Sequence, residues 1–293
     1  MMKEKRSFSF LIITIIYILA TVVGVLVWRF LPFAYWLNLL LADVAATIVV
    51  FIFSCIFHNA SVYDPYWSVQ PPVILTLFAL GQELTLAKLL LLGAVWIWGI
   101  RLTGNWAYTF KNLSAQDWRY TQYEKKAGKW YPFINFTGIH LVPTLIVYGC
   151  IMPAVIVMRS DAEGNIGSVL FFLCSVGAVL LEFLSDKEMH KFRKTKTGSF
   201  IRIGLWKYSR HPNYLGEICM WWTVALSACC VLPFRWYFLA GAIANTVLFL
   251  TVSIPLADGK QSSKPGFEEY KNETRMLLPL ARSANNHSED DLS

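Results

Sequence analysis

FSFLIITIIYILATVVGVLVW, Phe8–Trp28, runs for 21 residues without a charge. At ~1.5 Å of rise per residue a helix of that length reaches about 30 Å, the thickness of a bilayer's hydrocarbon core. The basic prelude Lys3, Lys5 and Arg6 resembles a signal-peptide n-region. The apolar run, however, exceeds the ~7–15 residues of an h-region and lacks a small-x-small cleavage site, so it reads as a retained span. Outward from it, further apolar runs fall at Phe33–Phe57, Leu84–Phe110, Phe133–Met158, Ile166–Leu184, Leu215–Val231 and Trp236–Ile254, with a shorter one at Val69–Leu80. A chain that is 56% hydrophobic and 15% aromatic exceeds what a soluble core needs. These patterns predict an all-α, polytopic integral membrane helix bundle of about eight transmembrane helices, seven clear and one short.

Positive charge fixes the expected topology, because Lys and Arg near span ends accumulate on the cytoplasmic side. The basic segments are the N-terminus, 111–129, 187–210 and the tail from Lys260. Placing all four on one side requires an even number of spans between each pair, so Val69–Leu80 is expected to cross and both termini to be cytoplasmic. The membrane would be the endoplasmic reticulum in a eukaryote and the inner membrane in a bacterium. The formal charge of +7 then reflects topology and contact with anionic membrane lipids rather than a nucleic-acid surface. The polar, acidic tail 283–293 is expected to be disordered.

Metal chemistry finds no support. The six cysteines lie in apolar stretches without a CxxC pair, and the five histidines form no HxxxH or HExxH. No metal site is expected. No GxGxxG follows a strand, which excludes a Rossmann site and leaves any dinucleotide to bind among membrane helices. Ionisable groups in spans are costly and tend to mark function. Asp43, Arg101, His140 and Glu182 fall in span interiors; Asp64 and Glu217 fall near span ends. Asp64 sits in SVYDPYWS, where Pro65 biases it away from helical geometry beside Tyr63, Tyr66 and Trp67. An N-cap carboxylate is the plain structural alternative. In WIWGIRLTGNW, Gly99 and Gly104 flank Arg101 and would admit a close backbone approach.

The densest chemistry is EFLSDKEMHKFRKTKTGSFIRIGLWKYSRHPNYLGE, Glu182–Glu217. Asp186, His190 and Arg193 share one helical face, and Pro212 suits the first position of a helix carrying Asn213, Tyr214 and Glu217. Eight Lys and Arg residues lie within 187–210, which suits a polyanion. Gly204, Tyr208, His211, Asn213 and Gly216 add a turn, an aromatic face and neutral hydrogen-bonding groups that topology alone does not require.

At these residues the chain resembles the membrane-embedded steroid 5-alpha-reductase superfamily, in particular its large branch described only as a domain of unknown function, DUF1295. DPYWS, WGIRL, DWRY, LSDKEMHKFR, GLWKYSRHPNYLGE and FEEY…LLP are similar to segments of that branch, in the same order, over roughly Tyr63 to Pro279. The resemblance divides the chain into an N-terminal hairpin at 1–57, a reductase-like membrane domain at 58–282 and the tail. It implies NADPH as cofactor and reduction of a polarised C=C bond in a hydrophobic, lipid-like substrate. It places Asp186, Arg193, Arg202, Tyr208, Asn213 and Glu217 among the cofactor contacts and Asp64 near the catalytic acid. His190, Arg210, His211 and Tyr214 of the same segment are counted with the cofactor contacts, Arg210 and His211 being typical of this branch rather than of the steroid reductases proper. Tyr66, or else Tyr63 or Tyr108, would stand in for the tyrosine beside Asp64. His190 stands where the steroid reductases tend to have arginine, and Trp98 where they have their catalytic tyrosine. Trp67, Trp96, Trp98 and Trp106 would form a flat aromatic wall for the substrate. RHPxYxG is also similar to isoprenylcysteine carboxyl methyltransferases, so an S-adenosylmethionine-dependent methyltransferase is the first alternative and a non-enzymatic lipid-binding protein the second.

Overall fold

A computed structural model describes residues 5–195 and 198–279; the tail expected to be disordered lies outside the described residues. Helices α1 (Arg6–Phe30), α2 (Tyr35–Phe57), α3 (Tyr66–Ala79), α4 (Leu86–Thr109), α5 (Trp118–Ala127), α6 (Tyr131–Ile134), α7 (Val142–Met158), α8 (Ile166–Thr195), α9 (Pro212–Val231), α10 (Ala240–Leu248), α11 (Ile254–Gln261) and α12 (Phe267–Glu273) follow in order. Among the described residues the only extended pairing is an isolated bridge between Ser209 and Arg275. Among the described residues seven stretches are long and apolar enough to cross a membrane, and the protein is an integral, multi-pass membrane protein. Helix α3, the expected eighth crossing, has 14 residues with Pro71 and Pro72 inside, about 21 Å by helical rise.

The amphipathic logic is that of lipid as solvent. On α1, Leu11, Ile15 and Ile18 are more than half exposed, spaced to form one outward stripe. On α2 the inward face carries Asn38, Asp43, Thr47 and Ser54, all buried. Turned inward, each of these has a polar partner. Asn38 closes the α1–α2 turn by donating to Leu31 O at 2.8 Å, and Thr47 meets Thr144 at 3.0 Å. Asp43 accepts from Gln70 at 2.5 Å and from Tyr66 at 3.3 Å.

Two π-helical segments interrupt the spans, at Asn135–Leu141 and Phe249–Ser253. Each immediately precedes a proline-bearing helix start, Pro143 in α7 and Pro255 in α11. A proline ring clashes with the carbonyl four residues earlier and donates no N–H, and a local widening of the helix relieves both conflicts.

The chain divides into two compact units, 5–176 with 221–245, and 177–220 with 246–279. The first has a core of Ile13, Ile16, Val50, Tyr63, Tyr66 and Leu113 with their neighbours.

Candidate functional sites in the two units

In the first unit two separated motifs meet. Asn59 donates to Leu113 O at 2.7 Å, Ala60 N to Gln116 Oε1 at 2.8 Å, and Asp117 N to Ser61 Oγ at 2.9 Å. These bonds dock the loop before α5 onto the turn that leads into α3. They bring Tyr120 of DWRY to Asp64 of DPYWS, the phenol donating to Asp64 Oδ1 at 2.6 Å. Asp64 does not cap α3, whose N-cap is Pro65. Burial pushes the half-buried Asp64 carboxyl up to about 6, against the opposing pull of the Arg119 guanidinium and the Tyr120 hydroxyl. Arg119 is itself fixed by Asp117 at 2.9 Å. The result is a carboxyl that keeps its proton up to about pH 6 beside a phenol, a pairing able, when protonated, to donate a hydrogen bond to a substrate oxygen.

Tyr66, expected beside Asp64 as its catalytic partner, directs its hydroxyl to Asp43 instead. The phenol that reaches Asp64 is Tyr120, which no sequence pattern singled out except that it closes the DWRY motif. Trp98 is fully buried with its ring edge-to-face on Trp221 at 4.7 Å. Trp96 is 38% exposed and donates to Thr76, and Trp106 stacks on Phe110. Trp96, Trp98 and Trp106 thus have different neighbours, whereas Trp67 and Trp106 both pack against the core of the first unit. Gly99 does admit a close approach, since a Cβ there would lie 2.7 Å from Ser68 O, whereas Gly104 faces open space.

The second unit gathers most of the residues expected to hold a cofactor. Helix α8 runs beyond the apolar run to Thr195 and carries Asp186, His190 and Arg193, of which Arg193 is exposed. Pro212 begins α9 as its sequence position predicts. Between them the loop is held to α8 by Trp206 Nε1 donating to Ser185 O at 3.1 Å and by Leu205 N donating to Glu188 Oε2 at 2.9 Å. Gly204 has a positive φ of 60°, and a Cβ there would lie 2.3 Å from Glu188 Oε1, so glycine is favoured.

Arg210 and His211 are placed differently from the other expected contacts. Both are buried. The Arg210 guanidinium donates to Thr274 O at 2.7 Å and Lys271 O at 3.1 Å, and pairs with Asp258 at 3.1 Å. His211 Nε2 lies 2.9 Å from the other Asp258 oxygen, and its ring stacks on Tyr214 at 5.2 Å. With Tyr270 donating to Trp206 O, these groups strap residues 267–276 onto the 204–211 loop. Asp258 and Glu188, the anchors of this arrangement, were not singled out by sequence. Asp258 carried a signal, an acid at the end of the last long apolar run.

Asn213 donates to Asp186 at 3.2 Å, while its buried Oδ1 has no hydrogen-bond partner. A buried acceptor without a donor is costly and fits an incoming N–H. Tyr208 is 58% exposed, Glu217 is buried, and exposed Arg202 meets Glu273 at 3.4 Å. Among the described residues no cluster of His, Cys, Asp and Glu is arranged to hold a metal ion, and the six cysteines are all free.

The sequence profile of a family described as a protein of unknown function (DUF1295) matches residues 50–274. The chain belongs to the DUF1295 family. It is also similar to an uncharacterized protein of Schizosaccharomyces pombe (strain 972 / ATCC 24843). The two are 25% identical over 224 residues, an alignment covering 65% of this chain and 60% of that relative. No solved structure matches.

Proposed function

We propose that this DUF1295 protein is an NADPH-dependent reductase of a polarised C=C bond in a hydrophobic, lipid-like substrate. The observation that carries the reading is the 2.6 Å contact between Tyr120 and a half-buried Asp64 held near pH 6. It supplies an acid of the kind that the resemblance to the steroid 5-alpha-reductases calls for, by a tyrosine other than the one at the family position, where Trp98 stands. The orphaned Asn213 Oδ1 and the exposed cations Arg193 and Arg202 support a nucleotide in the second unit.

NADPH, when bound, supplies the hydride. Asn213, Asp186, Tyr208, Arg193 and Arg202 would hold it, the guanidinium groups facing phosphate and Asn213 Oδ1 accepting an amide or amino N–H. Asp64, protonated, donates to the substrate's carbonyl oxygen and makes the β carbon electrophilic. Tyr120 orients that carboxyl and lowers the cost of its anion once the proton has moved.

The deciding experiment is thermal unfolding of the detergent-purified chain with NADPH or S-adenosylmethionine. A ligand at a hundredfold over its Kd adds about 2.7 kcal/mol. NADPH is expected to stabilise the wild type and Asp64→Asn, but not Asn213→Ala or Arg193→Ala. Stabilisation by S-adenosylmethionine alone overturns the reading.

A further inference from the structure

We propose that residues 118–133 form a binding site for the headgroup of an anionic phospholipid, independent of the reductase reading. The helical stretch Trp118–Met158 has 41 residues, more than one crossing needs, and it breaks at Gly128, whose φ of 51° ends α5. Phe133–Met158 alone suffices to cross, which leaves Trp118–Pro132 outside the hydrocarbon and at its edge. None of the ten residues of α5 is buried. Trp130 and Phe133 are each 64% exposed and Trp118 is 36% exposed, aromatic rings of the kind that seat at the headgroup level.

The charges of the segment are sorted. Asp117 is taken by Arg119 at 2.9 Å, and Glu124 accepts from Gln116 at 3.4 Å. Lys125, Lys126 and Lys129 are exposed within one turn or so of each other. They stand four to eight residues before Phe133, about 6–12 Å at helical rise, comparable to the ~8 Å Debye length of a charged surface, and their long stems can carry the ammonium groups toward the headgroups. Lipid phosphate is the occupant that satisfies both halves of this surface, since its charge meets the lysines while its acyl chains meet Trp130 and Phe133. Each lysine near an anionic leaflet contributes about fivefold in affinity, or up to about a hundredfold for three.

Native mass spectrometry of the full chain, equilibrated with phosphatidylglycerol and phosphatidylcholine, reads the preference directly. The wild type is expected to retain phosphatidylglycerol in strong preference. The K125Q/K126Q/K129Q variant is expected to lose most of that preference while unfolding at the same temperature in neutral detergent. Rising salt should erode the wild-type preference, an arm that needs no variant. An unchanged preference in the lysine variant, a salt-independent one, or equal stabilisation by inorganic phosphate alone overturns the proposal.

Discussion

Replacing Asp64 by Asn should change how stability responds to pH, by an amount the structure sets. Burial moves the carboxyl from 3.8 to about 6. Between those values the folded chain keeps a proton that the unfolded chain releases, so raising the pH favours unfolding across that window. The stabilisation from the protonated form is complete below about 3.8 and is lost as pH rises through about 6. Two units correspond to about 3 kcal/mol at most, and partial exposure reduces this to about 1.5–3 kcal/mol. For a chain of this size that is roughly 3–6 °C. The assay is thermal unfolding of wild type and Asp64→Asn in the same detergent from pH 4 to pH 8, taken as a difference so that other titrating groups cancel. The wild type should fall relative to Asp64→Asn across the window. Tyr120→Phe, which removes a bond favouring the anion, should move the midpoint of the fall upward. A difference that stays flat or rises with pH refutes the assignment of Asp64 as a carboxyl kept protonated by its surroundings.

Two further substitutions test the second unit. Gly216→Ala would place a Cβ 2.7 Å from Ala178 O and 2.4 Å from the Glu182 side chain, and it should cost about 1–3 kcal/mol through overpacking; Gly104→Ala, which meets nothing within 4 Å, should leave the melting temperature unchanged. Asp258→Asn strips the buried Arg210 of its carboxylate and His211 of its partner. A loss of about 3 kcal/mol is expected, with limited proteolysis cutting the 267–276 segment first.

The spans were legible because lipid imposes a length and a composition that the chain displays openly, and α9 begins at Pro212 as its sequence position predicts. What could not be read was pairing at a distance. Tyr120 reaches Asp64 only because Asn59, Ala60 and Ser61 bind the loop 113–117, contacts set by side chains with no periodic signature. Tyr66 lies closer in sequence to Asp64, yet helical geometry in α3 turns it toward Asp43. The tryptophans of WIWGIRLTGNW alternate around α4, so proximity in sequence separates Trp96 from Trp98 in space.

The RHPNYLGE segment shows why a motif shared between reductases and methyltransferases does not discriminate between them. Arg210 and His211 are spent on Asp258 and on the carbonyls of Lys271 and Thr274. Pro212 starts a helix, Tyr214 stacks on His211, and Gly216 allows α9 to approach the backbone of α8. Five of these positions thus build the scaffold of this segment. Asn213 has a buried amide oxygen left without a donor, and Arg210 Nε is likewise buried without an acceptor. The proposed dinucleotide is therefore best tested at Asn213, and Asn213→Asp is the sharpest probe. It exchanges the amide for a carboxylate beside Asp186 and should weaken an anionic dinucleotide strongly while preserving the Arg210–Asp258 latch, and with it the melting temperature without ligand to within a few degrees.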